Sequence, residues 1–266
     1  MLDLNAVDLG FSRKAEVYDE YCENHPVIRW ARDVIRHEAV QRLPGNASIL
    51  ELNAGTGSDA AYFVQQGYRV HATDIASGMV AAIQKKIALL QRADQFTVQK
   101  LSFTELDLVE GGPYDLVFSN FGGLNCIPAL DGVVNTIPRL LKSGGHVLCV
   151  IMPPICPWEL AQVLRGKFRL ATRRLHREGV LANVEGAQLM TWYYHPEQVI
   201  KAFGHNFRLV KQQSISLFCT PSYMDQFPHR FPSFTRFLLQ MDEHFGRRAP
   251  FNRWGDFVAY TFQYGP

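Results

Sequence analysis

The sequence has almost no excess of charge of one sign. Its 266 residues include 27 Lys and Arg against 25 Asp and Glu, a formal charge of +2 at pH 7. A dedicated nucleic-acid-binding domain usually carries a clear basic excess, so we expect no nucleic-acid partner. The five cysteines, at positions 22, 126, 149, 156 and 219, form no CxxC pair, and this spacing predicts neither a disulfide framework nor a metal site.

Long apolar runs and leader segments are also missing. The longest apolar run, residues 147–152, has the length of a strand and is far too short to cross a membrane. The first residues, MLDLNAVDLGFSRK, lack the basic and then apolar stretches of a signal peptide, so we expect a cytoplasmic protein without a membrane span. With 47% hydrophobic and 20% charged residues, the composition is typical of a globular protein with a full core.

The sequence does contain a regular alternation of short apolar and amphipathic segments. Residues 14–43 predict two helices, with Pro26 in the first turn of the second. Between residues 48 and 153 strand-like and helix-like segments alternate, which indicates a doubly wound, mostly parallel sheet. Residues 207–218 and 255–264 predict two closing strands, and a helical insertion rich in proline and aromatic residues separates them.

The most informative stretch is ILELNAGTGSD, residues 49–59. It is an apolar strand followed by a small, glycine-bearing turn and then a helix, an arrangement that lets backbone N–H groups approach a ligand. The next strand ends in Asp74, 23 positions after Glu51, where a carboxylate can accept hydrogen bonds from both ribose hydroxyls. The pattern predicts a nucleoside-cofactor site. Alternatively, Asp74 only caps the helix that begins near Ser77.

These residues resemble the motifs of the class I S-adenosylmethionine-dependent methyltransferases. The family's ExGxGxG turn is matched by Glu51, Asn53, Gly55 and Gly57, with asparagine in place of the first glycine. After glycine, asparagine is the residue that best tolerates left-handed backbone angles. An NAD(P) site is a weaker interpretation, because GxGxxG is not met and Asp59 would repel a pyrophosphate.

The resemblance implies S-adenosylmethionine as cofactor and S-adenosylhomocysteine as product. It implies that Asp74 binds the ribose, that Met79 packs against the adenine and that a tyrosine of the first helix covers the sulfonium. Glu51 is expected to be a charged anchor. The acid that commonly meets the adenine amino group is absent at Ser102 and Phe103. The residues carried over as cofactor contacts are Tyr18, Tyr21, Glu51, Asn53, Ala54, Gly55, Gly57, Asp74, Ile75, Met79, Ser102, Phe103, Asn120, Phe121 and Gly122.

The resemblance also implies the fold. We expect an α/β protein with a doubly wound, mostly parallel sheet of seven strands, the Rossmann-like methyltransferase fold, with an N-terminal helical lid and C-terminal helical insertions. Residues 1–266 would form a single domain. Within it, residues 1–45 would form the helical cap, 46–152 the cofactor-binding core, 153–205 and 219–254 insertions that cover the substrate, and 206–218 and 255–266 the closing strands.

Methyl transfer from a sulfonium is an in-line displacement, so such a protein mainly supplies orientation and proximity. A general base is needed only where the acceptor must lose a proton. Candidate bases are Glu159, His195 and His229, although a solvated helix-start acid and ordinary surface or core histidines are the plainer interpretations. Candidate substrate contacts are Asn125, Trp158, Tyr193, Tyr194, Arg230 and Trp254.

The acceptor is predicted only by class. Aromatic and arginine residues within 221–254 favour a small-molecule substrate that is apolar or aromatic with an anionic end, although ordinary helix packing also explains them. The basic run 165–177 is typical of a solvated face, or else it contacts an acidic carrier protein or a phosphate. An RNA or DNA methyltransferase is a second hypothesis, weakened because residues 119–122 lack the Pro-Pro pair of base-modifying members. A third is a cyclase or regulator that binds S-adenosylmethionine without methylating. The oligomeric state is left open.

Overall fold

The computed structural model describes residues 4–184 and 186–265. The strands are β1 (Ser48–Leu52), β2 (Arg69–Asp74), β3 (Phe96–Lys100), β4 (Tyr114–Ser119), β5 (Leu141–Ile151), β6 (Val180–Val184), β7 (Ala187–Thr191), β8 (Phe207–Ile215) and β9 (Phe257–Tyr264). The helices are α1 (Leu4–Asn24), α2 (Pro26–Val40), α3 (Ser58–Gln65), α4 (Ser77–Leu90), α5 (Asp131–Val134), α6 (Ile137–Leu140), α7 (Pro157–Leu160), α8 (Phe168–Thr172), α9 (Pro196–Phe203), α10 (Gln226–Arg230) and α11 (Pro232–Phe245).

Seven strands form one sheet in the order β3-β2-β1-β4-β5-β9-β8. Strands β1 to β5 pair in parallel, and β9 runs antiparallel to both of its neighbours. The predicted seven-stranded, mostly parallel, doubly wound α/β sheet is therefore confirmed. The order of strands reverses between β1 and β4, which is the place where open α/β sheets bind ligands at the carboxyl ends of their strands.

Helices cover both faces of the sheet because successive side chains of a strand point to opposite sides. In β1, Ile49 packs with the apolar residues of α2 and α3, whereas Leu50 and Leu52 pack with those of α5, α6 and α9. By the same alternation Glu51 lies on the side of Ile49. Glu51 is the one charged residue of β1, and its side chain therefore lies on the side of α2 and α3, in the charged group described below.

The junction of the first two helices follows the prediction. His25 caps α2, with its Nδ1 accepting a hydrogen bond from the backbone N–H of Ile28 at 3.4 Å, and Pro26 is the first residue of the helix. Proline is favoured there because its missing N–H would have no partner inside the helix. The helical segment begins at Leu4, earlier than the expected residue 14.

The hairpin of β6 and β7 is a separate two-stranded antiparallel sheet that the sequence did not predict. It lies within residues 153–205, the first segment expected to cover a substrate, and it packs against α1. No helix in the described part of the chain is both long and apolar enough to cross a membrane.

Candidate active site

A cavity of 340 Å³ lies at the carboxyl ends of β1, β2 and β4, where the strand order reverses. We call it the site cavity. Helix α1 covers it with Phe11, Lys14 and Tyr18, and the β6–β7 hairpin covers it with Ala182, Leu189 and Thr191. The rest of the wall consists of Asn53, Gly55, Asp74, Ile75, Met79, Leu101, Ser102, Phe103, Asn120, Phe121, Gly122, Gly123, Cys126, Met152, Arg173 and Tyr193.

The turn after β1 keeps its shape with Asn53 in place of glycine. Asn53 has φ +47°, in the left-handed region, as its sequence position predicts. Its Oδ1 accepts a hydrogen bond from Ser119 Oγ at 2.7 Å, and its Nδ2 donates to the carbonyl of Asn120 at 3.2 Å. The asparagine therefore ties the end of β1 to the end of β4, a link that glycine could not make.

Asp74 lies buried at the end of β2, in the wall of the site cavity. One carboxylate oxygen accepts a hydrogen bond from the backbone N–H of Gly55 at 2.8 Å, and the other from that of Ala76 at 2.9 Å. Burial outweighs these hydrogen bonds and raises the pKa of Asp74 to about 6. Ala76 precedes α4, and the N–H groups of Ser77 and Gly78 bond elsewhere, so Asp74 is not a simple cap of that helix.

Hydrogen bonds and an ion pair hold helix α1 over the site cavity at two places. At one, Asp8 accepts a hydrogen bond from the backbone N–H of Ser77 at 2.7 Å, and Ser12 Oγ accepts one from that of Gly78 at 2.8 Å. At the other, Asp19 accepts hydrogen bonds from the hydroxyls of Thr56 and Ser58 and pairs with Lys86. These contacts hold the N-terminus of α4 and the turn after β1 against the helix that carries Tyr18.

Behind that turn, a charged group lies between β1, α2 and α3. Asp59 accepts hydrogen bonds from Arg36 Nε at 2.7 Å and from Asn120 Nδ2 at 2.9 Å. Burial alone would raise the pKa of Asp59, but the charges of Arg32 and Arg36 outweigh it and lower the pKa. The negative charge of Asp59 is therefore compensated within the protein and is not offered to a ligand.

Glu51 and Arg32 belong to the same group but are less well paired. Glu51 is buried, and no described residue bonds its Oε2. Burial and the neighbouring Asp59 raise the pKa of Glu51 well above its usual value, against the opposing charge of Arg32. The guanidinium of Arg32 lies 5.9 Å from the ring centre of Tyr18 and 5.4 Å from that of Phe121. The rings of Tyr18 and Phe121, which both line the site cavity, thus lie beside the same buried cation.

Most residues carried over as cofactor contacts come together in the site cavity. Those in its wall are Tyr18, Asn53, Gly55, Asp74, Ile75, Met79, Ser102, Phe103, Asn120, Phe121 and Gly122. Ala54 and Gly57 shape the turn instead, since the N–H of Gly57 donates to the carbonyl of Ala54 at 2.9 Å. Glu51 stands behind the turn, and Tyr21 lines a different cavity. The structure thus separates Tyr21 from Tyr18, its neighbour on α1.

Glu159, a candidate base, lies outside the wall of the site cavity in a buried ionic cluster. Its two oxygens accept hydrogen bonds from Arg173 Nε at 2.8 Å and Nη2 at 2.6 Å, and Arg174 Nη2 donates to one of them at 2.7 Å. Burial would raise the pKa of Glu159, but the two arginines outweigh it and lower the pKa, so this carboxylate is a poor base.

The same cluster brings three potential metal ligands close together. Side-chain atoms of Cys156, Glu159 and Asp256 lie within 4.8 Å of one another. Arg174 Nη2 donates to both carboxylates, at 2.7 Å each, so its guanidinium already supplies the positive charge at this place. Burial raises the pKa of the Cys156 thiol to about 12, which keeps it protonated and unsuited to bind a metal.

The two candidate histidines lie apart from the site cavity and from each other. His229 lines a second cavity with His25, Tyr21 and Arg230, on another side of α1. His195 caps α9 and lines a third, smaller cavity together with Trp254. Neither histidine is thus placed to take a proton from an acceptor in the site cavity.

Of the candidate substrate contacts, Tyr193 lines the site cavity, and the remaining ones serve packing or lie elsewhere. The buried amide of Asn125 donates to the carbonyl of Trp192 at 2.6 Å and accepts from the N–H of Met152 at 2.9 Å. Trp158 Nε1 donates to a backbone carbonyl at 2.9 Å, and the hydroxyl of Tyr194 likewise bonds a backbone carbonyl. Arg230 and Trp254 line the second and third cavities.

Ten further residues of the described wall were not predicted from the sequence: Phe11, Lys14, Leu101, Gly123, Cys126, Met152, Arg173, Ala182, Leu189 and Thr191. Arg173 was part of a basic run interpreted as a solvated face. The hairpin residues lie in a segment with no clear strand signal. Leu101 directly precedes Ser102, and Gly123 directly follows Gly122, so these two residues adjoin predicted cofactor contacts.

Comparison with known proteins agrees with this geometry. Residues 49–145 match the family model described as "Methyltransferase domain". A malonyl-[acyl-carrier protein] O-methyltransferase of Pseudescherichia vulneris is 25% identical over 197 residues, 74% of this chain and 73% of the relative. A demethylmenaquinone methyltransferase of Beutenbergia cavernae is 30% identical over 132 residues, 49% of this chain and 50% of the relative.

Among solved structures, the 1,6-didemethyltoxoflavin-N1-methyltransferase of Burkholderia thailandensis, with bound 1,6-didemethyltoxoflavin and S-adenosylhomocysteine, has the same fold. The TM-score is 0.57 at 16% sequence identity, covering 98% of this chain and 88% of that one.

Proposed function

The chain belongs to the class I S-adenosylmethionine-dependent methyltransferases, and we propose that its methyl acceptor is a small, apolar or aromatic metabolite. S-adenosylmethionine is the cofactor, and S-adenosylhomocysteine is the product. The observation that carries the proposal is the composition of the site cavity beyond the motif residues. That part of the wall is mostly aromatic and aliphatic: Phe11, Leu101, Met152, Ala182, Leu189 and Tyr193.

The residues of the motif fit the cofactor. The carboxylate of Asp74 accepts backbone hydrogen bonds from Gly55 and Ala76, and a carboxylate has room for further donors, so both ribose hydroxyls could donate to it. Asn53 and Gly55 line the same wall, and Met79 and Ile75 offer apolar surface for the adenine ring. When bound, the cofactor supplies a methyl group on a positively charged sulfur.

The protein's contribution to the reaction is to hold the two reactants in line. Tyr18 and Phe121, both in the wall and each beside Arg32, are stiff surfaces against which a planar acceptor would pack. Helix α1 and the β6–β7 hairpin exclude water from above. Orientation and exclusion of water are sufficient where the acceptor already carries a nucleophilic atom.

A small acceptor suits this cavity better than a nucleic acid does. The cover formed by α1 and the hairpin leaves a bounded cavity of 340 Å³ rather than an extended groove for a polymer. The near-neutral charge of the chain points the same way. The name of the Beutenbergia cavernae relative concerns a quinone, which supports an acceptor with an apolar body. The name of the Pseudescherichia vulneris relative concerns a malonyl group on an acyl-carrier protein.

Calorimetric titration with S-adenosylmethionine and, in parallel, with S-adenosylhomocysteine tests the cofactor site directly. We expect micromolar binding of both. An acceptor screen with labelled S-adenosylmethionine would then compare apolar acids, phenols and quinones with polar metabolites and with RNA. Transfer to RNA or to polar metabolites alone would overturn the acceptor class, and cofactor binding with no transfer to any acceptor would favour the non-methylating alternative.

A further inference from the structure

The wall of the site cavity carries two cations away from the cofactor motif, Arg173 and Lys14. Asp74 is the one carboxylate among the described residues of the wall, and it belongs to the proposed ribose site. Away from the cofactor motif the described wall is mostly apolar apart from these two cations, which favours a ligand with an apolar body and a negatively charged group.

Arg173 is held in a fixed orientation. Its Nε and Nη2 donate to the two oxygens of Glu159 at 2.8 and 2.6 Å, a bidentate pair. Glu159 is only 1% exposed and is held in turn by Arg174. No described residue accepts a hydrogen bond from Nη1 of Arg173, and the side chain is 35% exposed. The guanidinium of this wall residue is thus pre-oriented, and its Nη1 has no acceptor among the described residues.

The local charges leave room for an anion. In the buried cluster, the two guanidinium groups of Arg173 and Arg174 balance the carboxylates of Glu159 and Asp256. Lys14 adds a further cation, with its Nζ 5.2 Å from the ring centre of Tyr18 and no ion pair to a described residue. An anionic ligand would therefore meet two cationic side chains of the wall, Arg173 and Lys14, against one carboxylate, that of Asp74.

The same wall offers no base for an acceptor that must lose a proton. Burial raises the pKa of the Cys126 thiol to about 11 and also raises the pKa values of Tyr18 and Tyr193, so these groups stay protonated. Asp74 accepts hydrogen bonds from the backbone and is assigned to the ribose. The described wall residues include no histidine and no glutamate. A group that is already ionised at neutral pH needs no such base.

We propose that the methyl acceptor is an organic acid with an apolar body, and that Arg173 binds its ionised carboxylate, which is itself the nucleophile. This rests on the proposed function. A lone pair of the carboxylate oxygen forms the new O–CH₃ bond. The bond between the methyl carbon and sulfur breaks, and sulfur keeps its electron pair and becomes a neutral thioether. No proton is transferred, so the products are a methyl ester and S-adenosylhomocysteine.

The first test measures binding to the enzyme saturated with S-adenosylhomocysteine. Matched pairs of an acid and its carboxamide, such as cinnamic acid with cinnamamide and decanoic acid with decanamide, differ mainly in charge. We expect at least one acid to bind about 10- to 100-fold more tightly than its amide, the range for a hydrogen bond to a charged group. Arg173→Gln should abolish this preference, and Arg173→Lys should keep part of it.

Arg169→Gln is the matched control, because Arg169 is an exposed arginine of the same basic run that does not line the site cavity. Undiminished S-adenosylhomocysteine binding by each variant would show that it is folded. Equal affinity for acid and amide in every pair, or no binding of any pair, would overturn the proposal. So would an acid preference that survives Arg173→Gln.

The second test identifies the product formed from S-adenosylmethionine labelled in its methyl group. A methyl ester releases volatile labelled methanol in mild alkali, whereas ethers, methylamines and C-methyl products do not. Labelled methanol is the expected result. Transfer to matched alcohols, phenols or amines with a product stable to alkali would overturn this inference while leaving methyl transfer intact. Absence of binding of S-adenosylmethionine and S-adenosylhomocysteine would instead show that the cofactor site had failed.

Discussion

The side chain of Asn53 occupies the space that a side chain on Gly123 would need. A Cβ built on Gly123 would lie 2.3 Å from Asn53 Cγ, closer than real contacts allow. The amide of Asn53 is not free to move away, because it bonds both Ser119 and the carbonyl of Asn120. The departure from the usual glycine after β1 is therefore matched by a glycine in the turn after β4.

This relationship predicts a compensating pair of substitutions. Gly123→Ala should destabilise the protein by about 1–3 kcal/mol, as overpacking usually does, and should weaken S-adenosylhomocysteine binding. Adding Asn53→Gly should restore both, because it removes the clashing amide and glycine accepts the φ of +47°. Urea unfolding and calorimetric titration measure the two effects.

Gly132→Ala is the control for that pair, since a Cβ there meets nothing within 4 Å. A Gly123→Ala variant as stable as this control would show that the amide of Asn53 can relax. Additive losses in the double variant would show that the two positions are not coupled.

The raised pKa of Asp74 predicts that the affinity for the cofactor depends on pH. Ribose hydroxyls donate best to the ionised carboxylate, and the pKa of Asp74 in the unliganded protein is raised to about 6. Affinity for S-adenosylhomocysteine should therefore be constant above pH 7 and fall as the pH drops through 6 toward 5. Asp74→Asn should weaken binding by about 1.5–3 kcal/mol at pH 7.5 and remove the pH dependence in this range.

Asp115→Asn is a suitable control for the titrations, because Asp115 bonds Ser48 and Lys142 through its carboxylate and is not in the wall of the site cavity. The Asp74 assignment fails if Asp74→Asn binds S-adenosylhomocysteine as tightly as the parent at pH 7.5.

Asp8 helps to hold α1 over the site cavity, so we predict that it affects cofactor binding without lining the cavity itself. Burial would raise the pKa of Asp8, but hydrogen bonds from Ser77, Ser12 and Lys100 outweigh it and lower the pKa to about 2. The contact is therefore present above about pH 4 and is lost as the pH falls through 2. Asp8→Asn should speed amide exchange in α1 and weaken S-adenosylhomocysteine binding about tenfold.

Asp94→Asn, an exposed position with no described contact to α1, is the comparison for Asp8. Unchanged exchange in α1 of the Asp8→Asn variant would mean that Asp19 and its partners suffice to hold the helix. In that case the lowered pKa of Asp8 would reflect a contact of no consequence for the cofactor.

The sheet and the cofactor motif could be predicted because their signals are local in sequence. Apolar strands, helix starts and the glycine-bearing turn can each be identified within about ten residues, and the acid at the end of β2 completes the predicted nucleoside-cofactor site. The replacement at Asn53 also proved compatible with the turn. These features require no knowledge of which distant segments touch.

The cover of the site cavity was not predictable in the same way. Arg173 was interpreted as part of a solvated face because six basic residues lie close together in sequence, yet its carboxylate partner Glu159 lies on another short helix. Tyr21, His229 and Arg230 came together, but in a second cavity on another side of α1. In both cases the contacts that determine where these side chains lie join different segments of the chain, and the local sequence does not indicate which segments meet.

The raised pKa of Glu51 predicts that the difference in stability between the parent and Glu51→Gln grows with pH. Its pKa in the folded protein is raised well above its usual value, so ionising it costs more in the folded than in the unfolded chain. The free energy of unfolding of the parent should therefore fall, relative to that of Glu51→Gln, as the pH rises above about 4.5. At pH 8, Glu51→Gln should therefore be more stable than the parent.

Urea unfolding at pH 4.5 and pH 8 measures this difference, and Glu110→Gln at an exposed position is the comparison. The two proteins should differ little at pH 4.5, where Glu51 is protonated in the folded state. A Glu51→Gln variant that is less stable than the parent at pH 8 would mean that the attraction of Arg32 exceeds the cost of burial. Glu51 would then be an ionised partner of Arg32 rather than a neutral acid behind the turn.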